Sequence, residues 1–336
     1  MKILSAQNRN QRLALFAGAF LFGMTQCISA ILAQAQSSFP SRQIQIIVPF
    51  PAGGSADYFA RTVFNKIGQA IDRPIVVENK AGAGGIIGAK TVINSAPDGY
   101  TLLVSAVASV LIPPNLTSPV AFDALKDLSP ITGIGTVPAV LVVKPSLGIR
   151  TFADFLKYAE ANPGKLNQAT SGAGTISHLT GELLMHETGI KVIPVHYRGA
   201  PPAVTDLLGG HADFMFSDAP FFLEHIRAGN LIPLAVGTPQ RSKSLPDVPT
   251  TAELGYPSIV ASNTYSLFAP PKTPSDIVVK LNQLVLAAVR DPEVQTSFAK
   301  EAAIPAGDTP ERFVALIQEE AKRWLPIVKA AGLKAN

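Results

Sequence analysis

The chain carries a single cysteine in 336 residues, and Cys27 lies inside an N-terminal stretch that reads as a removable leader. With that stretch gone no thiol remains, which excludes a disulfide scaffold and thiol chemistry. No block of Lys and Arg interleaved with aromatics is found, so nucleic acid is not an expected partner. Past the leader, no segment approaches the roughly 20 unbroken apolar residues that span a bilayer. The histidines (His178, His186, His196, His211 and His225) show neither HExxH nor paired-ligand spacing, so no metal is expected. Internal repeats and low-complexity segments are also lacking.

What is present begins with the leader. Lys2, Arg9 and Arg12 make a basic start without an acid, Leu13 to Met24 is a short apolar run, and Ala33-Gln34-Ala35 fits a small-x-small cleavage site. Thr25, Gln26 and Ser29 interrupt the apolar run, which argues against an anchor, and Gln26 before Cys27 fits a lipidation site poorly. Residues 1–35 are therefore expected to be cut off on export. Their loss removes three positive charges and no negative one, lowering the net charge from +4 to +1. The expectation is an exported, soluble protein.

The remainder is proline- and glycine-rich, with 28 Pro and 26 Gly in the whole chain, as many short strand–helix connections require. Strands at Gln43–Val48, Ile75–Val77 and Tyr100–Ser105 alternate with helices at Asp57–Ile71 and Ile86–Ser95, a spacing that predicts a parallel sheet. Leu111 to Pro130, rich in Pro, Asn, Thr and Ser, reads as a long surface excursion. Val137–Val143 and Tyr265–Ala269 read as two apolar crossings. Between them a second series runs from a helix capped by Thr151 to a strand at Leu231–Val236 and a polar loop at Gln240–Ser258. After Pro274 the chain reads as helices, roughly Pro274–Val289, Pro292–Ala302 and Pro310–Ala331. Two crossings around one α/β unit imply a discontinuous first domain, 36–138 plus 264–336, and an inserted second domain, 139–263. That arrangement puts a ligand cleft between the domains above a two-strand hinge.

Within Ile46–Arg61, a strand empties through Pro49, Phe50, Pro51, Gly53 and Gly54 into a helix entered at Ser55, Ala56 and Asp57. Free N–H groups and the positive end of a helix dipole then meet at one point, a ready site for a carboxylate or phosphate. The same residues also fit an ordinary turn capped by Ser55 or Asp57. Ser171-Gly172-Ala173-Gly174-Thr175, running into a helix with Ser177 and His178, repeats the logic in the second series. Two such loops facing each other would grip an anion without arginines. Tyr197-Arg198-Gly199 and Ser217-Asp218 also end strands where they can reach a cleft. Ser171, His178 and Asp57 spell a hydrolase on paper, but G-x-S-x-G is absent and His178 falls inside a helix. Gly82 to Gly88 is spaced G-x-G-x-x-x-G, and no acid sits at a strand end about 20 residues on. These glycines are therefore read as helix–sheet packing rather than a dinucleotide site.

Taken in order, the motifs resemble the Bug-type periplasmic solute-binding proteins of tripartite tricarboxylate transporters. They are Val48-Pro49-Phe50-Pro51-Ala52-Gly53-Gly54 with Asp57 and Arg61, Gly82-Ala83-Gly84-Gly85, Pro97-Asp98-Gly99-Tyr100 and Ser171-Gly172 with Gly174, Thr175 and His178. Tyr197-Arg198-Gly199, Asp206-Leu207-Leu208-Gly209-Gly210, Leu245-Pro246-Asp247-Val248-Pro249-Thr250 and Phe268-Ala269-Pro270 complete the set. The resemblance implies a two-domain Venus-flytrap fold of the type II binding-protein class. It also implies a periplasmic location, a small organic acid as ligand, and the membrane permease of a tripartite transporter as partner. No cofactor, no catalysis and a monomeric state go with it. One ligand carboxylate is then held mainly by main-chain amides and bridging waters from the loops matching Phe50–Asp57 and Ser171–Ser177, with Asp57 shaping its loop rather than touching the anion. Relatives often carry a bulky aromatic, commonly Trp, where this chain has Thr264 beside Asn263. A cleft-lining Thr264 would give a smaller and more polar wall. Alternatives of another kind are a ligand sensor of the same fold and a secreted hydrolase using Ser171 or Ser55.

Overall fold

The structure, a computed structural model, describes residues 39–333. The expected leader, 1–35, lies outside the described residues. The chain divides into two units, Met1–Ser41 and Arg42–Asn336, and the fold is that of the second.

That unit opens with strand β1 (Ile44–Val48), helix α1 (Ser55–Ile71), β2 (Ile75–Asn79), α2 (Ile86–Ile93), β3 (Thr101–Ala106) and α3 (Val107–Asn115). The long strand β4 (Ser129–Val143) leads into α4 (Phe152–Ala161), β5 (Leu166–Thr170), α5 (Ile176–Thr188), β6 (Val192–His196) and α6 (Ala200–Leu208). Next come β7 (Phe214–Asp218), α7 (Leu223–Arg227) and β8 (Ile232–Val236). The chain returns through β9 (Ser262–Ala269) and ends in α8 (Ser275–Val289), α9 (Pro292–Lys300), the two-residue β10 (Ile304–Pro305) and α10 (Pro310–Ala330). The strands follow one path, β2-β1-β3-β9-β4-β7-β5-β6, with β8 and β10 also on β4.

Strand β4 belongs to both halves of that path. Ser129 to Pro138 pairs with β9, while Ala139 to Val143 pairs with β7 and, from Val140, with β8. Its last residues are apolar on both faces. Ala139, Leu141 and Val143 join the larger core, and Val140 and Val142 join a second cluster with Ala203, Leu207 and Phe222. Period-two alternation on a strand covered on both sides requires this uninterrupted apolar run. In α1, Phe59, Val63 and Ile67 turn inward at helical spacing as the sequence predicts. Phe59 stacks on Tyr265 and meets Phe298 edge-on, each at 4.9 Å between ring centres.

One expectation is met and one corrected. The strands expected to be parallel, β1, β2 and β3, are so, as are β5–β6 and β5–β7, within a mixed sheet in which β9 runs antiparallel between β3 and β4 and β4 runs antiparallel to β7 and β8. The expected excursion after Leu111 begins inside a buried helix, α3, and ends inside β4. Pro113 and Pro114 masked that helix. Sitting in its last turn, they forgo only two intrahelical bonds, and burial of every residue from Val107 to Pro114 outweighs that loss. Gly88 lets α2 approach the turn that leaves β1, since a Cβ there would meet Pro49 Cβ at 2.7 Å.

Candidate functional site

The ends of β1, β5, β7 and β9 converge on a cavity of about 40 Å3, room for a few water molecules. The two sides of the cleft stand close. A Cβ on Gly199, which precedes α6, would come within 2.7 Å of Pro51 Cδ on the loop after β1.

The first wall is the loop from β1 into α1. Gly54 is the N-cap and offers no side chain, so the first N–H groups of α1 point out of the helix without an acceptor inside it. The loop is held from behind by Asp57. Its Oδ2 accepts from Gly53 N at 3.1 Å, and its Oδ1 accepts from Arg61 Nε at 3.0 Å and from Asn79 Nδ2 at 3.0 Å. Asn79 Nδ2 also donates to the Phe50 carbonyl at 3.0 Å. Burial alone would raise the Asp57 pKa. The bonds from Arg61, Gly53 and Asn79 outweigh it, so the carboxyl is held below its ordinary value.

The second wall is the loop from β5 into α5, and most of its donors are used internally. Ser177 Oγ accepts from Ser171 N at 2.7 Å, Thr170 Oγ1 from Gly172 N at 3.3 Å, and His178 Nδ1 from Gly174 N at 3.1 Å. The Gly172 carbonyl accepts from Thr175 Oγ1 at 2.7 Å. His178 Nε2 lies 3.4 Å from Glu182, which orients the ring. What remains for the cavity is the Ser171 hydroxyl and the N–H of Ile176 at the start of α5, since Thr175 lines the cavity but spends both its hydroxyl and its N–H on the Gly172 carbonyl.

The back wall comes from β7 and β9. Asp218, 1% exposed, accepts from the Tyr265 hydroxyl and from Asn263 Nδ2 at 3.3 and 3.4 Å. Burial raises its pKa to about 6 against the pull of these bonds. Burial, then the neighbouring Asp218 carboxylate, pushes the Tyr265 hydroxyl well above its ordinary range. Ser55 Oγ faces this pair without a hydrogen bond of ordinary geometry, and Asn263 Oδ1 has no partner. Among the described residues, no Lys or Arg lines the cavity.

Of the residues singled out from sequence, Phe50, Gly54, Ser55, Ser171, Thr175 and Asp218 meet at the cavity. Gly53, Asp57, Gly172, Gly174 and Ser177 stand one step behind, shaping the two loops. Tyr197 turns away: its hydroxyl donates to Asp206 at 2.8 Å, and burial and that carboxylate push its pKa up to about 12. Thr264 is corrected. Alternation along β9 sends Asn263 and Tyr265 to the cavity and Thr264 to the opposite face, where its hydroxyl meets that of Thr136 at 3.0 Å. Sequence reasoning missed Ser109, Asn263 and Tyr265; polar alternation along β9 picks out Ser262, Thr264 and Ser266 instead, so no local signal marks the face that meets the cavity. The hydrolase arrangement does not form, since His178 serves Gly174 and Glu182 rather than Ser171, and Asp57 serves the other loop. Among the described residues no group of three or more His, Cys, Asp or Glu could hold a metal, and no helix is long and apolar enough to cross a membrane.

The model of the tripartite tricarboxylate transporter family receptor matches residues 59–333. Protein BugT of Bordetella pertussis is 40% identical over 88% of this chain and 91% of its own. The fold is similar to that of a protein of R. palustris solved with adipate, with a TM-score of 0.84 and 30% identity over 88% of this chain and 99% of the other. It is also similar to MatC from Rhodopseudomonas palustris with bound malate, with a TM-score of 0.82 and 30% identity over 86% of this chain and 100% of the other.

Proposed function

The chain belongs to the tripartite tricarboxylate transporter receptor family, and from that premise we propose that it captures a small organic carboxylate in this cleft and delivers it to the permease of such a transporter. The family is one of solute-binding proteins with the two-domain α/β flytrap fold, so the chain is a binding protein and not an enzyme.

The observation that carries the reading is the meeting of two helix N-termini, α1 and α5, on one cavity with no cationic side chain among its lining residues. Open N–H groups at Ser55, Ala56 and Ile176, with two dipole ends behind them, favour an anion at that point. The relatives solved with adipate and malate support a carboxylate as that anion. The change of partners along β4 at Pro138 and Ala139 supports lobes of 36–138 plus 264–336 and of 139–263, with β4 and the approach to β9 as the hinge. Export to the periplasm after loss of residues 1–35 and a monomeric state complete the reading. Mass spectrometry of the exported protein should find Gln36 at its N-terminus, and light scattering should give one chain per particle.

The direct test is a thermal-shift screen against mono-, di- and tricarboxylates, amino acids and aromatic acids, after co-purified ligand has been removed by unfolding and refolding. A ligand at about a hundredfold excess over Kd adds roughly 2.7 kcal/mol and raises the melting point by several degrees. A flat screen would overturn the binding reading. Delivery is tested separately by uptake in cells with and without the gene, and uptake that is unchanged would contradict it.

A further inference from the structure

The cavity is chemically two-ended. At the α1 and α5 end it offers N–H donors; at the β7 and β9 end it offers acceptors with little to accept from. Asp218 has two oxygens able to take about four hydrogen bonds between them. They receive the Tyr265 hydroxyl and one long, shared bond from Asn263 Nδ2. Asn263 Oδ1, on a residue 5% exposed, receives nothing, and the Ser55 hydroxyl, on a residue 3% exposed, faces Asp218 without a hydrogen bond of ordinary geometry. All three residues line the cavity. A buried acceptor left unsatisfied carries a desolvation cost that a donor on a ligand can recover.

A second carboxylate would not satisfy this end. With no Lys or Arg among the lining residues, an anionic group placed beside Asp218 meets a like charge in a dehydrated setting. A hydroxyl or an ammonium fits, because each brings the hydrogen that Asp218 and Asn263 Oδ1 lack. We propose that the cavity selects acids carrying a hydroxyl or ammonium group over unsubstituted acids of the same length, with Asp218 as the residue that sets the preference. The inference rests on the carboxylate reading of the same cavity and goes beyond it by naming the second group the ligand must carry. Tyr265 is a positioning residue here: its ring is stacked on Phe59, and its hydroxyl fixes one Asp218 oxygen so that the other faces the ligand.

Calorimetric titration of the refolded protein at pH 7.5 with two matched series tests this: succinate, malate and aspartate, then propionate, lactate and alanine. A hydroxyl or ammonium donating to a buried carboxylate should tighten binding at least about tenfold over the unsubstituted acid. Malate and lactate report the hydroxyl, and aspartate and alanine the ammonium. Asp218→Leu, close in size and unable to accept, should compress the preference to within about threefold. The wild-type ranking decides the matter even if that variant fails to fold. Unsubstituted acids binding as tightly as their substituted partners would overturn the inference and leave the carboxylate reading standing. Binding of none of the six, together with a flat thermal-shift screen, would overturn both.

Discussion

The two glycine loops look alike in sequence and are held in opposite ways. The loop after β1 is tied from outside its own amides by a charged side chain. Asp57 gathers Gly53 N, Arg61 and Asn79, and the first N–H groups of α1 stay open to the cavity. The loop after β5 is tied by neutral groups, with Thr170, Ser177 and His178 consuming the amides of Gly172, Ser171 and Gly174. Similar strand–glycine–helix patterns therefore yield one donor-rich wall and one wall that offers a hydroxyl and the single open N–H of Ile176. The lesson is that an anion site is defined by which N–H groups remain unused, and glycine spacing does not reveal that.

Removing the charged tie should have the largest effect. Asp57→Ala leaves Gly53 N without its acceptor and Arg61 without its partner, and should cost about 2–3 kcal/mol of stability together with at least a tenfold loss of carboxylate affinity. Because the Asp57 pKa is depressed, its contribution is fully present above the ordinary value of 3.8 and fades as pH falls through the lower folded value. Urea unfolding of wild type and variant should therefore differ at pH 7 and converge in strong acid. A constant difference at every pH would break the assignment of an ionic tie.

The back wall sharpens the contrast by titrating with the opposite sign. Asp218 is raised from 3.8 to about 6, so the folded protein binds the extra proton and this site's stability falls as pH rises between those values. Between pH 4 and pH 7.5 wild type should lose about 2–3 kcal/mol from this group, a loss absent from Asp218→Asn. Parallel pH–stability curves for the two proteins would contradict the buried carboxyl.

Cutting the neutral tie should matter less. Ser177→Ala strands the Ser171 amide and should cost about 1–2 kcal/mol, with affinity reduced several-fold and no change in its pH dependence. Smallest of all is Tyr197→Phe, which removes only the bond to Asp206 outside the cavity. It should change stability by less than about 1 kcal/mol and leave affinity unaltered. A tenfold affinity loss in Tyr197→Phe would return that residue to the site.

Much of the fold was legible because local signals agreed. The apolar spacing of Phe59, Val63 and Ile67 marks α1, and the Thr151 hydroxyl accepts from Asp154 N at 3.1 Å as an N-cap should. The run at Val137–Val143 marked a strand but showed only part of it. Its earlier residues, Ser129 to Thr136, carry Pro and Gly and become strand through pairing with β9, a partner more than a hundred residues away. Helix α3 was illegible for a related reason, since burial against distant elements overrides the two prolines. At the site, the loops could be read because glycines and caps are local. Asn263 and Tyr265 could not, because their role depends on which face of β9 meets the cavity, a matter of register between strands far apart in sequence. Thr264 was misplaced by that same one-residue step.

The proposed site holds a carboxylate jointly at the N-termini of α1 and α5. The most direct test is a backbone amide correlation spectrum of the isotopically labelled protein, recorded with and without a saturating acid from the screen. The N–H signals of Ser55, Ala56 and Ile176 should all move strongly, ahead of those of Gly53, Gly172 and Gly174, whose hydrogens are already taken. Shifts confined to one loop, or larger at the occupied amides than at the open ones, would contradict it.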